Sequence, residues 1–316
     1  MGSSNMFAPA RYLADFARYA ATKGSQEEHD RQALTELERR PLALPTGLRI
    51  RWLGVSGYRF DYEGHTLLID PYVSRVPLAG VIARRPALPD PARIERHIGS
   101  PPNCVGVLVG HTHFDHAVDA PVIARRLRCR AYGSASLTRL MRLHGCPELG
   151  VHVTPYETYE LGPFTVSFTP SAHSKLLLGF AVPFDGELTC DHLDALAPGA
   201  YRCGEIYGIE ITVAGMCFYH QGSANLIDDA VRSRDVDVFL AGVAGRGFTP
   251  DYWRRILTRL QPRTIVPTHY DDFFRPLDAS MGFTTNVNLA RVPGEVHAIS
   301  RDFTVAALPL NSEPGS

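Results

Sequence analysis

Lysine is almost missing from this 316-residue chain. Lys23 and Lys175 are the only two, and arginine supplies the rest of the 32 basic residues. The bias is compositional, since either cation keeps a surface soluble, but it makes Lys175 conspicuous beside His173. Excess charge is missing too. A formal net charge of −1 gives no strong field to attract nucleic acid or an anionic membrane. The six cysteines (Cys104, Cys129, Cys146, Cys190, Cys203 and Cys217) include no C-x-x-C pair, so neither a redox motif nor a cysteine zinc site is indicated. A chain this long needs no disulfide staples. No apolar run approaches bilayer-spanning length. Arg11, Asp15 and Arg18 interrupt the N-terminal stretch before a signal-peptide core can form. The cytoplasm is the expected location, with neither nucleic acid nor membrane insertion expected.

Apolar residues make up 45% of the chain, ample for one large domain or two modest ones. Residues 9–40 read as helical, with a break at Lys23-Gly24-Ser25 and Leu34 and Leu37 turned inward from 26–40. Pro41 and Pro45 end the segment. Its mixed charges favour a helical cap over a membrane-surface helix. The expected organisation is an N-terminal helical extension over 1–45 and a main domain over 46–316.

From residue 48 the texture changes to short apolar segments between glycines. Strands are expected at 48–53, 58–62, 66–69, 105–109, 131–132, 151–153, 158–160, 164–169, 177–182, 207–213, 216–220, 236–241 and 264–267. Ala214-Gly215 should turn a hairpin. Helices are expected at 115–127, 136–143, 226–233 and 252–260, with a long loop carrying a short helix at 73–101 and a polar excursion at 184–203. Runs of strands broken by helices suggest an α/β architecture in which two sheets are sandwiched between helices.

The densest chemical signal is His111-Thr112-His113-Phe114-Asp115-His116, directly after the apolar strand. In an extended segment residues two apart point the same way, so His111 and His113 can share one ion. A helix beginning near Asp115 turns Asp115 and His116 toward an adjacent position. Imidazole and carboxylate suit zinc, iron or manganese, with zinc the default for hydrolysis.

This segment resembles the H-x-H-x-D-H motif of the metallo-β-lactamase superfamily, and further landmarks follow in the family's order. Trp52-Leu53-Gly54 and Leu67-Leu68-Ile69-Asp70-Pro71 resemble its opening strands. Phe168-Thr169-Pro170-Ser171-Ala172-His173 and Val266-Pro267-Thr268-His269-Tyr270 resemble its later histidine motifs. The resemblance covers about 48–310, and its flavour is that of the ascorbate-6-phosphate-lactonase-like and N-acylphosphatidylethanolamine-phospholipase-D-like branch.

The resemblance implies an αββα sandwich of two mixed sheets flanked by helices. It implies one metal site of His111, His113 and His173 and a second of Asp115, His116 and His269, holding one or two zinc ions, with manganese or iron as alternatives. Asp70 would support the site from behind. A metal-activated hydroxide would be the nucleophile, with Asp115 and His116 the candidate catalytic residues.

One departure matters. Where the family places an aspartate bridging both metals, Phe218-Tyr219-His220-Gln221-Gly222-Ser223 brings Ser223 to that position. A hydroxyl is a weaker ligand than a carboxylate, so a looser second ion or a mononuclear site is expected. His220 is either a substitute ligand or a packed strand-end residue. Lys175 could hold a substrate anion, and Tyr270, Asp271 or Asp272 could orient a ligand. Gly242 to Gly247 lacks the P-loop lysine and reads as a tight turn beside the metal pocket.

The expected function is hydrolysis of an ester, lactone, amide or phosphodiester bond in a small-molecule substrate. A mononuclear iron oxidoreductase and a non-catalytic metal-binding scaffold on the same fold are the alternatives. The N-terminal helices could serve a homo-oligomer interface.

Overall fold

The computed structural model describes residues 8–176 and 180–311. A long helix, α1 (Ala8–Glu38), leads into a six-stranded sheet made of β1 (Arg49–Gly54), β2 (Gly57–Tyr62), β3 (His65–Ile69), β4 (Cys104–Leu108), β5 (Ala131–Gly133) and β6 (Gly150–His152). These strands lie in sequence order. The first three pair antiparallel and the rest parallel, because β3 onward is linked by crossovers long enough to hold helices. The crossovers carry α2 (Leu78–Ile82), α3 (Pro91–Ile98), α4 (Phe114–Ala117), α5 (Ala120–Leu127) and α6 (Ala135–Leu143). Pro91 opens α3 behind Asp90, whose carboxylate accepts the Ala92 and Arg93 N–H groups. Ser134 caps α6 through the Leu137 N–H. Such caps satisfy donors that a helix start leaves free.

The second sheet holds β7 (Thr158–Leu161), β8 (Phe164–Pro170), β9 (Tyr207–Val213), β10 (Met216–Gln221), β11 (Val238–Gly242), β12 (Thr264–Thr268) and β13 (Thr304–Val305), again in sequence order. Antiparallel pairing up to β10 gives way to parallel pairing beyond it, with α7 (Tyr252–Leu260) and α8 (Val292–His297) in the crossovers. Both residues of the β9–β10 turn, Ala214 and Gly215, have positive φ, the backbone a tight hairpin needs. Aromatic residues from both sheets fill the layer between them, with Phe60 of β2 edge-on to Phe218 of β10 at 5.2 Å. A second core, built from Leu68, Val107, Ile123 and Leu140 among others, lies between the first sheet and its helices.

α1 belongs to the second sheet's end of the molecule. Leu34 and Leu37 are buried there, the Leu37 carbonyl accepts the Ala307 N–H, and Asp30 accepts the Ala290 N–H.

Several expected elements differ. α1 runs unbroken through Gly24, where a solvent-exposed glycine costs only about 1 kcal/mol against alanine. The helix expected over 115–127 splits into α4 and α5. Pro121 supports a helix start rather than a helix interior, and the Asp119 carboxylate accepts the Val73 and Ser74 N–H groups. The helix expected over 226–233 is a single 3₁₀ turn, Asp228–Ala230, whose Asp228 is held by Arg255 and Arg259 of α7. The strand expected over 177–182 lies partly outside the described residues, and 180–182 contributes to no named strand. The short edge strand β13 was not anticipated.

Candidate metal centre

The C-terminal ends of β3, β4, β8, β10 and β12 converge at one rim of the sandwich. After β4 the chain stays extended through His113, at φ −60° and ψ 151°, before α4 begins. His111 and His113 therefore point the same way, and Asp115 and His116 emerge within the following turn. Gly110 ties the rim together: its N–H donates to Asp70 Oδ1 at 2.7 Å, and its carbonyl accepts the Tyr207 N–H from the second sheet.

Two groups of three result. His111, His113 and His173 form one, Asp115, His116 and His269 the other, and within each the donor atoms lie within 4.8 Å of one another. His111 Nε2 and His113 Nδ1 are 3.2 Å apart. His269 Nε2 is 3.3 Å from Asp115 Oδ2, and His116 Nε2 3.9 Å. Donors bound tetrahedrally at roughly 2.0–2.1 Å would sit about 3.3 Å apart, so these spacings fit an ion in each group.

The tautomers fit as well. Pro183 O accepts from His113 Nε2 at 2.9 Å, Ser174 O from His173 Nδ1 at 2.8 Å, and Asp70 Oδ2 from His116 Nδ1 at 2.8 Å. Each bond fixes the proton on the far nitrogen and leaves the near one with a free lone pair.

Burial and mutual repulsion keep the first group neutral. Burial pushes His113 down to about 4 and His173 to about 3, and burial with four neighbouring imidazoles holds His111 well below the usual histidine range. In the second group Asp115 and His116 are pulled in opposite directions. Burial alone would raise Asp115, but His116 and His269 outweigh it and hold the carboxyl below its usual range. Burial alone would lower His116, yet Asp70 and Asp115 raise it.

The supports come from distant chain. A Cβ on Gly222 would meet Asp70 Oδ2 at 3.0 Å and His116 Cε1 at 3.2 Å, so a side chain there would press on both. His269 sits at φ 61° and donates its N–H to Val55 O. Thr268 Oγ1 and Trp52 Nε1 donate to the same carbonyl. The Val55 N–H in turn donates to Asp271 Oδ1, and Asp271 pairs with Arg75 at 2.8 Å in a fully buried contact. Composition and motif reading missed Arg75, Val55, Asp119 and Pro183. Asp70, through the resemblance, and Asp271, two residues beyond His269, carried a sequence signal.

The remaining candidates fall outside the two groups. His220 Nε2 bonds the Ser56 carbonyl at 2.9 Å and stands 3.8 Å from Asp70 Oδ2. Ser223 Oγ accepts the Ser174 N–H at 3.1 Å and is buried between the β8 and β10 ends. Tyr270 is buried against Trp52, and Lys175 is exposed. The glycine-rich turn after β11 packs Gly245 against Ser174 and Leu176, leaving no room for a side chain.

Two back-to-back mixed sheets, helices outside them, and a histidine–aspartate centre at the strand ends define the metallo-β-lactamase fold. The chain belongs to the beta-lactamase superfamily domain family, whose profile matches residues 49–269. Among curated proteins it is similar to a UPF0173 metal-dependent hydrolase of Anaeromyxobacter sp. (strain K), 27% identical over 74% of this chain and 78% of that one. A UPF0173 metal-dependent hydrolase of Paracoccus denitrificans is 26% identical over 72% and 87%. Among solved structures, Igni18, a metallo hydrolase from Ignicoccus hospitalis, superposes with a TM-score of 0.51 at 18% identity, covering 84% of this chain and 96% of that one. CmlA, a diiron β-hydroxylase from Streptomyces venezuelae, gives 0.53 at 15%, covering 85% of this chain and 54% of that one. At such identities these two structures speak for the fold alone. No described helix is long and apolar enough to cross a membrane.

Proposed function

We propose that the chain is a metal-dependent hydrolase of small molecules, cleaving an ester, lactone, amide or phosphodiester bond, with zinc at His111, His113 and His173 and a second, looser ion at Asp115, His116 and His269. The observation that carries this reading is the convergence of six donors, three of them imidazoles (His113, His116 and His173) whose tautomers are fixed from behind. The names of the curated relatives agree with it.

Bound ions supply a Lewis acid that brings water's pKa toward neutrality and polarises the scissile oxygen. The chain's residues do the rest. Asp115, kept ionised by its histidine neighbours, accepts a hydrogen bond from the attacking water and can take its proton. His116 is held in orientation by Asp70, so the carboxylate and imidazole keep their spacing. The rings of the first group exclude bulk water from one side of the centre.

Metal analysis of protein purified without added metal, paired with an ester and phosphodiester panel, tests the proposal. One to two zinc ions per chain and turnover lost on chelation support it. Iron would favour an oxidative reading on the same fold, and absence of any metal would overturn the hydrolase.

A further inference from the structure

Five ring contacts link end to end across the centre. Phe184 meets His113 at 6.3 Å, His113 meets His111 at 4.8 Å, His111 meets His116 at 3.9 Å, His116 meets His269 at 5.5 Å, and His269 meets Phe273 at 5.8 Å. A phenylalanine thus closes each end of the histidine row, one beside each group of donors.

Phe184 is no ordinary core residue. It is 42% exposed and its φ is 46°, a conformation that is costly for a bulky side chain and persists where the surroundings enforce it. They do so here. Its carbonyl accepts the Cys203 N–H at 3.0 Å. Gly199 lies so close beneath the ring that a Cβ there would approach it to 3.0 Å. The preceding carbonyl, Pro183 O, is the one that fixes His113. The chain therefore holds an apolar ring in water, at a backbone cost, beside a candidate ligand. At the other end Phe273 is half-buried and braced by Phe274 at 4.2 Å and Phe114 at 6.2 Å.

We propose that Phe184 and Phe273 are specificity-determining residues that bracket the substrate, so that the reacting bond lies over the histidine row and an uncharged aliphatic or aromatic substituent packs against a phenylalanine. This rests on the hydrolase reading and narrows its substrate class to molecules with an apolar arm.

Titration of metal-loaded protein with straight-chain alkyl hydroxamates, from acetohydroxamate to octanohydroxamate, reads the phenylalanine contacts without requiring turnover, and p-nitrophenyl acetate and octanoate supply the activity arm. Wild-type affinity should tighten roughly fourfold to fifteenfold for every two methylenes, as their burial runs from half to full. Phe184→Ala, and Phe273→Leu as the milder change at the more buried position, should flatten that slope, whereas Ile82→Ala on exposed α2 should not. A wild-type affinity indifferent to chain length, no binding at any length, or an unchanged slope in both phenylalanine variants overturns the proposal. If the slope is present and no ester is hydrolysed, the phenylalanine bracket stands and the hydrolase reading falls. If acetate and octanoate are hydrolysed with equal kcat/KM, the phenylalanine bracket falls and the hydrolase reading stands.

Discussion

The two donor groups share a rim but are built differently. The first is all imidazole, and two of its rings are fixed by backbone carbonyls of adjoining loops, Pro183 and Ser174. The second mixes a carboxylate with two imidazoles and relies on buried charges: Asp70 behind His116, and the Arg75–Asp271 pair behind the Val55 peptide that holds His269. His269 Nδ1 is buried without a hydrogen-bond partner, so nothing fixes that ring as firmly as its counterparts. The first group is rigid by local backbone geometry, the second by long-range electrostatics, and the second should be the one that yields.

The hardest way to break the contrast is His113→Ala. It should lower kcat/KM by about 10³-fold and remove the tighter ion, whereas His269→Ala should leave that ion bound. Mass spectrometry under native conditions reads the stoichiometry, and equal loss in both variants would erase the distinction. Next, Arg75→Ala strips a fully buried partner from Asp271, which should destabilise the fold by about 3–5 kcal/mol and empty the second group before the first. Urea denaturation and a chelator titration check the two halves of that expectation.

Ser223→Asp should sharpen the contrast by removing it. A carboxylate at that position should tighten the second ion by roughly 10- to 100-fold, the range seen when supporting groups around a metal are changed, and competition with a chromogenic chelator measures it. No change would mean that Ser223 does not face the second ion.

The gentlest probe is pH acting on the metal-free protein. His113 and His173 titrate lower in the folded state, near 4 and 3, than the roughly 6.5 of an unfolded histidine. Their contribution is therefore complete above about 6.5 and is lost as the pH falls, because the unfolded chain takes up protons that the folded one refuses. The slope is about 1.4 kcal/mol per pH unit for each such ring. His116 has the opposite sign: raised by Asp70 and Asp115, it stabilises fully below about 6.5 and loses that contribution as the pH climbs through its folded value, so it opposes the first group. Denaturation midpoints at pH 7.5 and 5.5 should show the net fall.

The same contrast explains what could be read from the chain. His111, His113, Asp115 and His116 are legible because their geometry is local: an extended dipeptide step followed by a helix start. His173, His269 and Asp70 lie on other strands and were reached through resemblance, since spacing alone cannot bring residue 269 beside residue 115. Most strands were legible from apolar runs between glycines. The misplaced helices are cases where distant partners overrule local pattern, as when α7 arginines claim Asp228 or the loop after β3 claims Asp119. Pro183 could not have been found, because it acts through a carbonyl that every residue possesses.

That the donors of each group come from strands far apart in the chain has a topological consequence. An ion held jointly by Asp115 and His269 is a cross-link between the two halves of the polypeptide, closing a loop of about 150 residues. Such an ion binds the folded chain and not the unfolded one, so it stabilises the fold by about 2.7 kcal/mol when its free concentration is a hundred times its Kd. The looser ion thus ties the longer stretch of chain with the weaker hold, and its departure would be felt as a lower Tm across both sheets.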